Sequence, residues 1–240
     1  MLIYIVRHGE TNWNKEHRLQ GQTDIPLNEQ GLALAEVTGK ALRDVPFDLC
    51  FSSPLQRAKQ TADRILRENE QYRSRSEAFL SAHPAYREGL EYTESRLALI
   101  PEPRMIEINF GAWEGLGCSR DNMQVPEKAF KEFFRNPERA ELPEGAEHIA
   151  DVKARAADFF RDLTDRPELA DKTVLITTHG CAMRAFLHPL YQDENHFWQE
   201  HVPYNCEVAI VEARPGERPR FVERGKVFYD EKLASNFKAK

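Results

Sequence analysis

Three short apolar runs, at residues 1–6, 48–52 and 172–178, set the strongest limit on how this chain can fold. None shows the in–out alternation of a strand with one wet face. Each is therefore expected as a strand buried on both sides of a parallel sheet. Helical periodicity fills the intervals. Within 31–43, Leu34, Val37 and Ala41 fall on one face, and within 146–163 Ile149, Val152, Ala156, Phe159 and Leu163 do the same. Strands alternating with helices imply an α/β fold, a three-layer sandwich whose mostly parallel central sheet is flanked by helices.

Two regions break the alternation, near 67–103 and 116–145. Both are charged, contain proline and lack a clean strand pattern, so they read as cap segments inserted into a single domain spanning 1–240. Segments 205–212 and 220–226 flank Arg214-Pro215-Gly216-Glu217-Arg218-Pro219 and predict a terminal antiparallel hairpin. The polar tail after Tyr229 is expected to be loose.

Charge narrows the partners. A formal net charge of −6 gives no global attraction to nucleic acid or to an anionic membrane. No run approaches the ~20 apolar residues that span a bilayer, and the first six residues are too short for a signal-peptide core. Cys50, Cys118, Cys181 and Cys206 are far apart with no CxxC pair, which fits free thiols in the cytoplasm.

Ligands of such sheets bind beyond the carboxyl ends of the strands. There the three runs lead into Arg7-His8-Gly9-Glu10-Thr11, Ser52-Ser53-Pro54-Leu55-Gln56-Arg57 and Thr178-His179-Gly180. Two imidazoles, two guanidiniums and helix N-termini would meet at one spot, a set suited to a phosphate more than to a metal. His17, His83, His148, His188, His196 and His201 form no metal-ligand spacing and read as structural, as do Trp13 and Trp113.

These motifs resemble the histidine phosphatase superfamily. Its opening signature is matched by Arg7–Thr11 residues together with Trp13-Asn14, Arg18-Leu19-Gln20-Gly21 and Pro26-Leu27-Asn28. The second motif is matched by Ser52-Ser53-Pro54-Leu55 with Arg57-Ala58, and the third by Thr178-His179-Gly180. Ile106-Glu107 with Phe110-Gly111 and Trp113-Glu114-Gly115 resembles the acid-bearing segment of the phosphatase branch.

The resemblance implies a phosphomonoester hydrolase in which His8 is the nucleophile and forms a phosphohistidine. Arg7, Arg57 and His179 would hold the phosphoryl oxygens, helped by Asn14, Gln20, Gly21 and Gly180, and Glu107 would be the general acid and base. It implies no metal and no other cofactor, and a small phosphorylated metabolite as partner. Glu102 and Glu114 are rivals for the acid, set aside only by the Phe-Gly-x-Trp-Glu-Gly context. A cofactor-dependent phosphoglycerate mutase is the alternative of the same chemistry. A non-catalytic phosphate-binding protein is a third reading, disfavoured because all the reactive residues are retained. Gly145-Ala146-Glu147 stands where the family has Gly-Glu-Ser, and no role is carried over to it.

Overall fold

In a computed structural model describing residues 1–193, 196–199 and 201–230, the three apolar runs become adjacent parallel strands. They are β1 (Leu2–Arg7), β2 (Leu49–Ser52) and β7 (Thr173–Thr178), with β7 between the other two. Side chains leave these strands alternately on two sides. Ile3, Ile5, Phe51, Val174 and Ile176 join one buried cluster, whereas Val6, Cys50 and Leu175 join another. Two cores on one sheet require helices on both faces, which makes the sandwich three-layered.

The first core includes apolar residues of α6 (Ile149–Thr164) and α7 (Gly180–Leu187). The second includes residues of α2 (Glu29–Leu42) and α3 (Gln56–Arg67). Full burial of one such aliphatic side chain contributes about 1.5–3 kcal/mol, so the paired cores dominate stability. The terminal hairpin forms as expected: β8 (Val208–Glu212) pairs antiparallel with β1 and with β9 (Arg220–Lys226).

Two expectations need correction. The segment near 67–103 is not only an insertion. It supplies α4 (Tyr72–Ala82), the two-residue strand β3 (Glu91–Tyr92) and β4 (Ala98–Pro101), and β4 adds to the sheet parallel to β2. Four residues ending in proline carry no periodic signal. The pairing is secured by burying Leu99 and by the Tyr72 hydroxyl, which donates to the Ala98 carbonyl at 2.5 Å.

The buried face of α2 also differs. Val37 and Ala41 are exposed, and Gly31, Leu34, Ala35, Thr38, Gly39 and Leu42 face inward. Small residues win because α3 lies close: a Cβ on Gly39 would stand 2.9 Å from the Arg64 carbonyl. The interval 116–145 holds the small hairpin β5 (Cys118–Ser119) and β6 (Asn122–Met123), followed by α5 (Glu127–Arg135). One further short helix, α1 (Asn12–Lys15), follows the first motif. The tail expected to be loose lies outside the described residues beyond Asp230. Among the described residues no helix is long and apolar enough to cross a membrane.

Candidate active site

Strand register brings the three motifs together. Arg7 is level with Thr178, and Ser52 with Thr177. Just beyond the strand ends, His8 N–H donates to the Thr178 carbonyl at 2.8 Å and Ser53 N–H to the Thr177 carbonyl at 2.9 Å. Arg7, His8, Arg57 and His179 therefore converge at one end of the sheet, all buried. The His8 and His179 ring centroids are 5.2 Å apart.

His8 is held in one tautomer. Its Nδ1 lies 2.7 Å from the Gly9 carbonyl, which can only accept, so Nδ1 carries the proton and Nε2 keeps its lone pair. Burial, then the charges of Arg57 and Arg7, holds the ring's pKa well below the usual histidine value. At neutral pH this is an uncharged imidazole under the influence of two cations.

Arg57 is fully buried and clamped by backbone. Its Nη2 donates to the Gly21 carbonyl at 2.6 Å and Nη1 to the Thr23 carbonyl at 2.8 Å. Burial lowers its pKa to about 10, opposed chiefly by Glu107, so it stays cationic. Arg7 is lowered by burial too, is likewise raised by Glu107, and donates through Nη1 to the Pro203 carbonyl. Gly21 adopts φ +54°, and a Cβ there would stand 2.0 Å from Glu114 Oε1, so glycine is required.

His179 is placed differently from its expected role on the phosphoryl oxygens. Arg57 Nε donates to its Nδ1 at 3.1 Å, and its Nε2 lies 2.7 Å from Ser53 Oγ. Both ring nitrogens are engaged, and the ring stands behind Arg57 rather than in the cavity wall. The other candidates meet around a cavity of about 80 Å³ lined by Arg7, His8, Asn14, Gln20, Gly21, Arg57, Glu107 and Gly180. Asn14 Oδ1 accepts from Thr11 N–H at 3.1 Å, and Gln20 Oε1 from the Thr11 hydroxyl at 2.8 Å. That leaves the NH₂ ends of both amides as donors.

Glu107 is the only one of the three rival glutamates on the cavity. Its carboxylate accepts from Ile108 N–H at 3.0 Å, Ala182 N–H at 3.1 Å and Cys181 N–H at 3.2 Å. It thus caps α7, whose own N-cap residue makes no side-chain capping bond. Glu102 instead binds Arg104, which Asp158 and Asp162 also hold. Glu114 pins the 20–23 turn, accepting from Gln22 N–H at 2.9 Å and Thr23 N–H at 2.8 Å.

Several residues escape sequence reasoning. Arg155 on α6 donates to the carbonyls of Arg104 and Ile106 at 2.6 Å each and pairs with Glu147 through two bonds. Glu147, given no role from the sequence, thereby steadies the loop after β4 that carries Glu107. Asn205 Nδ2 donates to the His8 carbonyl at 3.0 Å. Arg18, Phe133, Phe134 and Trp198 also line the cavity. Only the aromatic spacing of 130, 133 and 134 in a charged segment hinted at a buried helical face. The arginines at 73, 75, 87, 96, 104 and 120 do not line it. Among the described residues, no group of three His, Cys, Asp or Glu is placed to hold a metal ion.

Comparison with known proteins gives the same picture. The chain is 30% identical over 187 residues to 2,3-bisphosphoglycerate-dependent phosphoglycerate mutase 2 of Gloeobacter violaceus, covering 78% of this chain and 74% of that one. It is 29% identical over 209 residues to phosphoserine phosphatase 1 of Hydrogenobacter thermophilus, covering 86% and 82%. The solved structure of Bacillus stearothermophilus YhfR superposes with a TM-score of 0.70 at 28% identity, over 95% of this chain and 96% of that one. The description of the histidine phosphatase superfamily, branch 1, matches residues 3–96 and 87–225. With its motifs in order along nearly the whole described chain and its two histidines meeting at the end of the sheet, the protein belongs to the histidine phosphatase superfamily.

Proposed function

We propose that this protein is a phosphomonoesterase that works through a phosphohistidine on His8. The observation that carries the reading is the His8 Nδ1 bond to the Gly9 carbonyl, which leaves Nε2 as a lone-pair nitrogen on a buried ring under the charges of Arg7 and Arg57. In the first step His8 Nε2 attacks phosphorus, the phosphorus–ester oxygen bond breaks, and protonated Glu107 gives its proton to the departing alcohol. In the second step Glu107 takes a proton from water, which attacks phosphorus, breaks the P–N bond and releases inorganic phosphate. Arg7 and Arg57 offset the charge of the in-line transition state, and the amides of Asn14 and Gln20 add neutral donors. His179 accepts from Arg57 Nε and so helps to hold that guanidinium in place.

One domain would carry this chemistry, with 116–145 as its cap. The four buried, unbridged cysteines support a reducing compartment, the cytoplasm. Relatives bear the names of both mutases and phosphatases, so names do not separate the readings. The cavity favours hydrolysis: a mutase must also seat a second anionic group, and among the described residues the cations on the wall beyond Arg7 and Arg57 come down to Arg18, which is paired with Glu16.

The test uses the full chain in excess EDTA. Phosphate release from a monoester, an acid-labile phosphoenzyme that His8→Ala abolishes, and little 2-phosphoglycerate from 3-phosphoglycerate primed with 2,3-bisphosphoglycerate are the expected results. Fast isomerisation with negligible phosphate release would overturn the choice of phosphatase.

A further inference from the structure

The cavity is lined by two unlike sets of side chains. One is polar and cationic, with Arg7, Arg57, Asn14 and Gln20 among its members. The other is apolar and consists of Leu19, Phe110, Phe133, Phe134, Trp198 and Val202. Four of the six are aromatic, and they make one connected surface. The ring centroids of Phe110 and Phe133 are 5.3 Å apart at 77°, those of Phe133 and Trp198 5.5 Å at 69°, and those of Phe134 and Trp198 5.2 Å at 34°. Such edge and tilted arrangements are those aromatic pairs prefer.

The wall is firmly built. Phe133 is 1% exposed and Trp198 8%. The indole N–H of Trp198, the one strong donor among these six side chains, donates to the Phe133 carbonyl at 3.1 Å, which ties 196–199 to α5. A sugar or carboxylate facing this wall would leave its hydrogen bonds unmet, and a buried polar group without a partner is costly. Nor do the described residues lining the cavity offer a free cation for a second anion. Arg18 donates to the Gly115 carbonyl at 2.6 Å, pairs with Glu16 at 3.3 Å and lies over the Trp13 ring at 4.8 Å.

Resting on the phosphatase reading, we infer that the preferred substrate is a monoester whose leaving group carries an uncharged aromatic ring, seated against Phe134 and Trp198. The occupant follows from continuity. Whatever is esterified to a phosphate at His8 shares one cavity with these aromatic side chains, which line it together with Arg7, His8 and Arg57. The relatives' names include phosphoserine and phosphoglycerate enzymes, whose named compounds are small and charged. The inference therefore separates this chain from them in substrate class.

The experiment compares kcat/KM of the full chain for 2-phenylethyl phosphate, propyl phosphate and O-phospho-L-serine. The first two leave as alcohols of similar basicity, so a difference reports the ring and not the leaving group. Burying a phenyl ring against an apolar wall should favour the phenylethyl ester over the propyl ester by about tenfold or more, and over phosphoserine by at least as much. Phe134→Ala and Trp198→Ala should each bring the phenylethyl-to-propyl ratio towards one. That ratio is independent of the folded fraction, so a poorly folding variant still gives an answer. Equal efficiency for the two esters, better turnover of phosphoserine, or a ratio unmoved by both variants would overturn the inference while leaving the phosphatase reading intact. If no ester yields phosphate or phosphohistidine, the underlying reading fails and this inference falls with it.

Discussion

Glu107 illustrates how one side chain serves structure and chemistry together. Its two oxygens accept three backbone N–H groups, two from the first turn of α7, and the same carboxylate faces the cavity that holds His8. Glu107→Gln keeps the shape but cannot protonate a leaving group, and its amide leaves a backbone donor unmatched at a cost of about 1–3 kcal/mol. General acid help is worth roughly 10²–10⁴-fold and matters most for a basic leaving oxygen. The variant should therefore be phosphorylated by p-nitrophenyl phosphate at nearly the normal rate, yet lose about 10²-fold or more with an alkyl phosphate. Rapid quench with both esters measures this. Equal losses for the two would remove Glu107 from the acid role. The geometry would then leave no carboxylate among the described residues lining the cavity, since Glu102 and Glu114 are committed elsewhere.

At the scale of elements, the nucleophile loop and α2 are fitted against each other with no room to spare. Asn28 caps α2 through Gly31 N–H at 2.8 Å, its amide donates to Glu10 Oε1 at 2.8 Å, and its N–H donates to the Glu10 carbonyl at 2.9 Å. A Cβ on Gly31 would stand 2.0 Å from that carbonyl oxygen. Glycine to alanine inside a helix ordinarily stabilises by about 1 kcal/mol. Here the sign should reverse, because backbone two residues from His8 must move. Gly31→Ala is expected to cost about 1–3 kcal/mol, lowering Tm by several degrees, and to reduce kcat by disturbing His8. Thermal unfolding and turnover of the purified variant test both. An unchanged or raised Tm would show that the loop yields freely.

For the whole molecule, the buried imidazoles couple stability to pH. His8 and His179 both have pKa values held well below 6.5, first by burial and then by Arg57. In the unfolded chain each titrates near its ordinary value of about 6.5. Above that pH neither state binds the proton, and these groups contribute no pH dependence. Below it the unfolded state gains protons that the folded state refuses, so stability falls as pH drops, by up to about 2.7 kcal/mol per unit for the pair. Urea unfolding between pH 7.5 and 5.5 should show this decline, and His8→Gln should remove about half of it. A slope identical in the variant and the wild type would mean that His8 is protonated in the folded protein.

The sequence by itself determined the sheet's centre and what stands at its edge. Apolar runs of strand length, separated by helical stretches, leave little choice but parallel strands, and the residues after each strand are carried to one end by the rule of parallel connection. Arg7, His8, Arg57 and His179 were legible for that reason, since each lies within a few residues of a strand end. Glu107 was legible only through its motif. The tertiary structure decided why it sits there: α7 lacks a local cap and receives one from a residue about seventy positions earlier in the chain. It decided that β4 joins the sheet, that α2 turns its small residues inward, and that His179 backs Arg57. It also decided the aromatic wall, where Phe133 and Trp198 meet across 65 positions of sequence. Periodicity and motif are local and travel with the chain, whereas a cap, a close approach or a pocket wall is made by two distant segments and exists only once both are in place.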